Sequence, residues 1–383
     1  MDNPFRKIID AATGMLHSSS SASKGPGTSI IGVDIGTSSI KVVQLKKKGG
    51  KAILETYGAL ALGSYGGTDV GAVTNLAVDK LSAAIKDLIK ESGVTTMSAA
   101  LSIPSASSLL FLIDLPAAID EKQVSAVIPT EARKYIPVPI SEVSLDYWVI
   151  PKRGALDESP ETPADGAKPV EAKTEVLIAA IHNDTIAKYN DIIKNTGLSS
   201  SFFEIEVFST VRSTLGHELS TVLIMDLGAS KTKLSIVEYG VVRSFHIINR
   251  GAHDITNTLS KSLNVPYAKA EEIKREFGLF GNPADKNVGE IIKLTTDFIL
   301  SETNSIVLNY EKKYEKTISK VILTGGGALL KGFKEQAAEN FRSEVVLGNP
   351  FVKTEAPGFV EQFLSKTGPE FSVAAGLALR GLQ

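Results

Sequence analysis

The sequence contains no cysteine. Disulfides, thiolate metal sites and cysteine nucleophiles are therefore excluded, and a cytosolic setting is expected. Charge of one sign is also missing, since the formal net charge is only −2. No global electrostatic pull toward nucleic acid or anionic lipid follows from so balanced a chain. Long apolar runs are absent too. A membrane-spanning helix needs roughly 18 uncharged residues, and the longest candidate, Leu109 to Leu115, is cut by Asp114. The N-terminus lacks the apolar core of a signal peptide. The expectation is a soluble protein that reaches a membrane only through a partner or a surface helix.

What is present is apolar residue in quantity and a repeated pattern. The 383 residues are 43% hydrophobic, enough for two or more domains with real cores. Ile30 to Leu45 reads IIGVDIGTSSIKVVQL, and Val222 to Val237 reads VLIMDLGASKTKLSIV. Asp34 aligns with Asp226, Gly36 with Gly228 and Ser38 with Ser230, at one offset (226 − 34 = 192). Each copy is an apolar strand, an Asp-x-Gly turn with small polar residues, and a second apolar strand, which reads as a β-hairpin. A glycine-rich turn lets backbone N–H groups approach an anion closely. A carboxylate at the strand end can hold magnesium through water. Two such hairpins facing each other would clasp a polyphosphate from both sides.

The remaining chain is read around these hairpins. Residues 1–29 form an amphipathic arm and a Ser/Gly-rich linker. The arm is either a mobile tether or a docking helix for a partner or membrane surface. Residues 30–108 form a first half, in which Val70–Glu91 has helical spacing. Residues 109–183 break the pattern as a strand, a helix starting at Asp120, two more strands and a Pro-rich acidic loop at about 152–172 expected to be disordered. This is read as an inserted β-α-β-β module. Residues 184–215 return to the first half, with Phe202–Val207 as a strand and Phe208–Leu215 starting a helix. Residues 216–383 form the second half.

Thr324-Gly325-Gly326-Gly327 follows a short buried strand, where it reads as a tight turn opening a helix or as a glycine-lined rest for a ligand. Glu271 and Lys274 share a helix face. They are either an exposed ion pair or hydrogen-bonding partners for a ribose and a base. Lys41 follows the first turn, as a surface lysine or as a cation reaching a β- or γ-phosphate. Glu206 reads by itself as a helix-capping or surface glutamate.

Three elements in this order resemble the actin/hexokinase/chaperone ATPase superfamily. Within it the chain resembles the PilM family, actin-like cytoplasmic components of type IV pilus assembly, with FtsA of cell division as a relative. The resemblance rests on GVDIGTSSIKVVQL, EARKYIPVPISEVSLDYWVI, MDLGASKTKLSIVEYG, ILTGGGALLKGF and AAGLALRGL. It implies an α/β, actin-like ATPase fold, with two duplicated βαβ-type halves and an inserted small subdomain. It implies ATP and magnesium between the halves. Asp34, Gly36, Thr37, Ser38, Ser39 and Lys41 match the first phosphate loop, and Asp226, Gly228, Ala229, Ser230 and Lys231 the second. Glu271 and Lys274 match the base-side helix, and Gly325, Gly326 and Gly327 the adenosine loop. Asp34 and Asp226 would hold the metal through water, and Glu206 lies where the superfamily often carries its water-positioning residue. The family's glycine pair reads Arg250-Gly251 here, with Gly251 kept; Arg250 is expected to contact a phosphate or to narrow the pocket.

The function implied is an ATP-responsive scaffold with at most slow hydrolysis, cytoplasmic and peripheral to the inner membrane. The partner implied is the cytoplasmic N-terminal tail of PilN, lying near Leu109–Leu115 and Tyr135–Ile140. Pilus motor or platform proteins and self-association are further candidates. Two alternatives stand beside this reading. One is an FtsA-like membrane-tethered filament protein, against which the end at Gly381-Leu382-Gln383 argues. The other is a small-molecule kinase, for which no acceptor segment is assignable.

Overall fold

A computed structural model describes residues 28–116, 121–150, 173–216, 218, 220–282 and 287–383. Asp120, most of the N-terminal arm and the loop at 152–172 lie outside the described residues. Two five-stranded sheets dominate. The first contains β1 (Ser29–Ile35), β2 (Ser39–Lys48), β3 (Lys51–Ala61), β4 (Ser98–Ile103) and β8 (Ser199–Ile205), in the order β3-β2-β1-β4-β8. The second contains β9 (Val222–Leu227), β10 (Thr232–Glu238), β11 (Val241–Ile248), β12 (Lys320–Thr324) and β13 (Glu344–Leu347), in the order β11-β10-β9-β12-β13. The topologies are the same, an antiparallel meander followed by two parallel strands. Apolar alternation explains the strands: Ile31, Val33, Val42 in one sheet and Leu223, Met225, Leu234 in the other are fully buried.

A separate three-stranded sheet comprises β5 (Ser108–Pro116), β6 (Val143–Val149) and β7 (Lys173–His182), in the order β5-β7-β6. The helix Glu121–Ala132 covers it through Val124, Ile128 and Ala132. Arg243 of β11 reaches Glu175 of β7 at 2.5 Å, tying this sheet to the second large one. The helix Ser372–Gly381 lies between β1 and the helix Glu206–Thr214. It fits because any side chain on Gly32 would collide with the Ala374 carbonyl, and any on Gly376 with Ser209.

Two boundaries differ from expectation, and both matter. The helix expected over Val70–Glu91 begins only at Val78. Gly71 sits in the left-handed region at φ 86°, and the Thr74 amide donates to the Thr37 carbonyl at 2.8 Å, pinning residues 68–77 as a loop beside the first Asp-x-Gly turn. The strand expected through Val207 ends at Ile205, so Glu206 opens the following helix. A carboxylate is favoured there by the helix dipole, and the chain turns inward instead of continuing extended.

Candidate functional site

The Asp-x-Gly turns are built alike. Each closes through its glycine amide, Gly36 N to Ser39 O and Gly228 N to Lys231 O, both at 3.0 Å. The turns face each other closely enough for the Thr37 hydroxyl to donate to Ser230 Oγ at 3.3 Å. Between the sheets lies a cavity of about 490 Å³. Asp34, Gly36, Thr37, Ser38, Ser39 and Lys41 line one wall. Asp226, Gly228, Ala229, Ser230 and Lys231 line the opposite wall, with Glu271 and Lys274 at one end and Gly325, Gly326 and Gly327 beneath. Glu206 also lines this cavity.

Gly251 is the exception among the residues singled out. It caps the helix Ala252–Leu263 behind the second turn, where a Cβ would lie 2.7 Å from the Gly228 carbonyl. Its neighbours Ala252 and His253 donate their amides to Gly228 O and Ala229 O at 2.9 Å. Gly251 therefore supports the turn from outside the cavity. The Arg250 side chain does not line the cavity: it is exposed and lies over the Phe298 ring at 5.7 Å, while its carbonyl accepts the Thr232 hydroxyl at 2.9 Å just after the second turn.

The glycine run also differs from expectation. It opens a short 3-10 turn, Gly326–Leu329, and the α-helix starts only at Phe333. Its value to a ligand is therefore shape more than helix dipole. A Cβ on Gly326 would meet open space, and the neighbouring Thr324 Oγ1 is buried without a partner among the described residues. Such an orphaned hydroxyl calls for a polar ligand or water.

Glu271 and Lys274 are not an exposed pair. They are 5% and 7% exposed and joined at 2.6 Å. The Thr256 hydroxyl donates to Glu271 Oε2 at 2.6 Å, and Arg275 Nε donates to Oε1 at 2.7 Å. Burial pushes the Lys274 ammonium below its ordinary value. Glu271 is also touched from across the cleft. A Cβ on Gly71 would come within 2.7 Å of its carboxyl carbon, so the loop at 68–77 closes over this end only because residue 71 has no side chain.

The charged centre is asymmetric. Asp34 is 8% exposed and accepts from the Ser102 hydroxyl at 3.0 Å. Burial pushes its carboxyl above the ordinary value of 3.8, although Lys41 opposes this. Glu206 Oε1 accepts the Ser105 amide at 2.8 Å, and Oε2 accepts from Lys233 Nζ at 2.7 Å. Lys233 also donates to Asp226 Oδ2 at 2.8 Å. Burial opposes the charge on Lys233, but Asp226 and Glu206 outweigh it and hold the ammonium above the usual lysine range. Lys233 was missed in the sequence, yet a signal was there. Each strand-end aspartate has a lysine seven residues on (41 − 34 = 233 − 226 = 7).

No group of three or more His, Asp or Glu side chains that could hold a metal exists among the described residues. With Asp226 Oδ2 and Glu206 Oε2 engaged by Lys233, a magnesium ion fits here only through water and the oxygens of a bound phosphate.

The raised carboxyl of Asp34 links stability to pH. Above pH 3.8 the unfolded chain gives up this proton first, so stability falls as pH rises from there through the folded value. At pH 7, Asp34→Asn is expected to raise stability by on the order of 1 kcal/mol. Thermal melts of the two proteins across this pH range check the sign.

Comparison with known proteins adds the following. The profile of the family described as type IV pilus assembly protein PilM matches residues 32–382. The cell division protein FtsA of Helicobacter pylori (strain ATCC 700392 / 26695) is 25% identical over 257 residues, covering 60% of this chain and 52% of FtsA. The chain thus spans about half the length of that relative. FtsA of Pseudomonas aeruginosa is 24% identical over 400 residues, covering 94% and 91%. Among solved structures, a PilM-PilN type IV pilus biogenesis complex aligns with a TM-score of 0.75 at 22% identity, covering 92% of this chain and 98% of that one. A MamK double helical filament aligns with a TM-score of 0.52 at 11% identity, covering 93% and 99%. The chain has the actin-like ATPase fold.

Proposed function

We propose, from the premise that this chain belongs to the PilM family of type IV pilus assembly proteins, that it binds ATP between its two large sheets and acts as a nucleotide-responsive scaffold of the pilus assembly platform. The observation that carries this is the facing pair of Asp-x-Gly turns, joined at 3.3 Å through Thr37 and Ser230 across one cavity. Those two residues belong to different halves. A phosphate inserted between them would change the spacing of the halves, so ATP biases their closure if it binds one arrangement better. Magnesium would enter on the phosphates, with Asp34 and Asp226 holding it through water.

The proposed partner is the cytoplasmic N-terminal tail of PilN, which would place this chain at the inner membrane through that partner. Phe111 of β5 stacks on Tyr135 with ring centroids 5.1 Å apart, and Tyr135 is 54% exposed. The pair offers an apolar, aromatic surface beside an edge strand, which suits an extended peptide.

Calorimetric titration tests both parts. ATP with magnesium is expected to bind the full chain, and Asp226→Ala to weaken that binding by at least about tenfold, or 1.4 kcal/mol. The PilN tail is expected to bind with an affinity that changes when ATP is present, and the reverse coupling must match. Absence of ATP heat removes the nucleotide reading; absence of peptide heat in either state removes the partner. The FtsA likeness supports a second reading, a filament-forming protein, which ATP-dependent sedimentation would reveal.

A further inference from the structure

The duplicated hairpins carry duplicated lysines that do different things. Asp34 pairs across its ladder with Lys41, and Asp226 with Lys233. Lys41 Nζ donates to Ser39 Oγ at 2.8 Å, beside the first turn. Lys233 lies between Glu206 Oε2 of the other half and Asp226 Oδ2 of its own turn, at 2.7 and 2.8 Å. The Ser105 amide takes the other oxygen of Glu206 at 2.8 Å.

This placement has two physical consequences. First, an ammonium inside the cavity cancels carboxylate charge that would repel a polyphosphate. At partly buried sites such interactions are several times stronger than in water. A divalent cation is the ordinary source of that positive charge. Second, hydrolysis bonds a water oxygen to the γ-phosphorus and breaks the bond to the bridging oxygen. ADP leaves with that electron pair, and the water's proton must pass to a base. Glu206 is a carboxylate lining the cavity, and both its oxygens already accept hydrogen bonds. Its two oxygens are thus committed to the Ser105 amide and the Lys233 ammonium, which compete with an attacking water for them.

Resting on the nucleotide reading above, we propose that Lys233 is a built-in cation that takes over much of the charge role of a divalent metal at the phosphates and holds Glu206 out of water activation. The cleft is thereby suited to retaining a nucleoside triphosphate intact. Lys233 is a positioning residue here, acting on the ligand's charge and on Glu206.

The test is titration of the full chain with ATP, in excess magnesium and in EDTA. For the unmodified chain the affinities are expected to differ by less than about threefold. Lys233→Met is expected to lose at least about tenfold in EDTA and to recover with magnesium, and its single-turnover hydrolysis to rise by a similar factor. Lys233→Arg keeps the charge and should follow the unmodified chain. A lysine with a merely structural role would lower the melting temperature without changing the metal dependence. Should Lys233→Met not fold, the EDTA titrations of the unmodified chain and of Lys233→Arg still decide. Loss of more than about tenfold in EDTA by the unmodified chain overturns this proposal alone. No ATP binding in either buffer overturns the nucleotide reading and this proposal together.

Discussion

Gly325→Ala is expected to reduce ATP affinity by at least about tenfold, or 1.4 kcal/mol, measured by calorimetry on folded protein. Gly325 has φ 81° and ψ 165°, a region essentially reserved for glycine, where a side chain costs roughly 1–3 kcal/mol. Its Cβ would also collide with Asp226 Oδ1 and lie 2.6 Å from the Leu227 carbonyl. Both contacts are backbone or short side chain on β9, so neither can swing away. The substitution must push the glycine run off the second Asp-x-Gly turn, or push Asp226 out of its ion pair with Lys233. Gly326→Ala is the control. Its Cβ meets open space and its φ is not positive, so it should leave stability within about 0.5 kcal/mol while narrowing the cavity. Unchanged affinity in both variants would place the ligand elsewhere.

Glu204→Ala is expected to lower stability by about 3–5 kcal/mol, the usual cost of removing one partner from a buried ion group. Glu204 is fully buried and accepts two hydrogen bonds from Arg212 at 2.7 Å and one from Arg380 at 2.8 Å. Ser209 donates a further bond. Arg212 also reaches the Gly376 carbonyl at 3.1 Å, and Arg380 lies over Phe202 at 4.3 Å. One carboxylate thus joins β8, the helix Glu206–Thr214 and the helix Ser372–Gly381. Its loss leaves two guanidinium groups buried without their anion. A fall of roughly ten degrees in melting temperature is the scale to look for. Removing Glu272 from its exposed pair with Lys269 should change stability by less than about 1 kcal/mol. A small effect at Glu204 would mean that water reaches the triad.

The same residue sets an acid limit. Burial alone would raise the Glu204 carboxyl, but Arg212 and Arg380 outweigh it and hold the group below its ordinary 4.5. A depressed folded value contributes stability that is complete above the unfolded value. It is lost as pH falls from there through the folded value. Melts of the unmodified chain should therefore steepen in their pH dependence below about pH 4.5, and Glu204→Ala should remove part of that slope. Asp34 acts in the opposite sense over the neighbouring range, so the two are separable by substitution.

The sequence by itself determined the features that depend on neighbours along the chain. Apolar alternation around Asp34 and Asp226 made strands, the Asp-x-Gly turns made hairpins, and the 192-residue offset between them announced two like halves. The residues that line the cavity were legible for the same reason, since turn chemistry and strand ends are local. Tertiary structure alone decided the rest. Whether Glu271 and Lys274 were exposed or buried depended on the helix Ala252–Leu263 and on Gly71 arriving from the other half. Arg250 had no local signal that would send it to Phe298, and Gly251 none that would put it behind the turn. Lys233 was visible as a repeated spacing, but its role was not. Its partner Glu206 lies 27 positions away and on another sheet's helix. An ion pair forms only when two chains of packing bring an ammonium and a carboxylate within about 4 Å in a partly dry site. That distance is a property of how the halves close, and no periodicity in the chain records it.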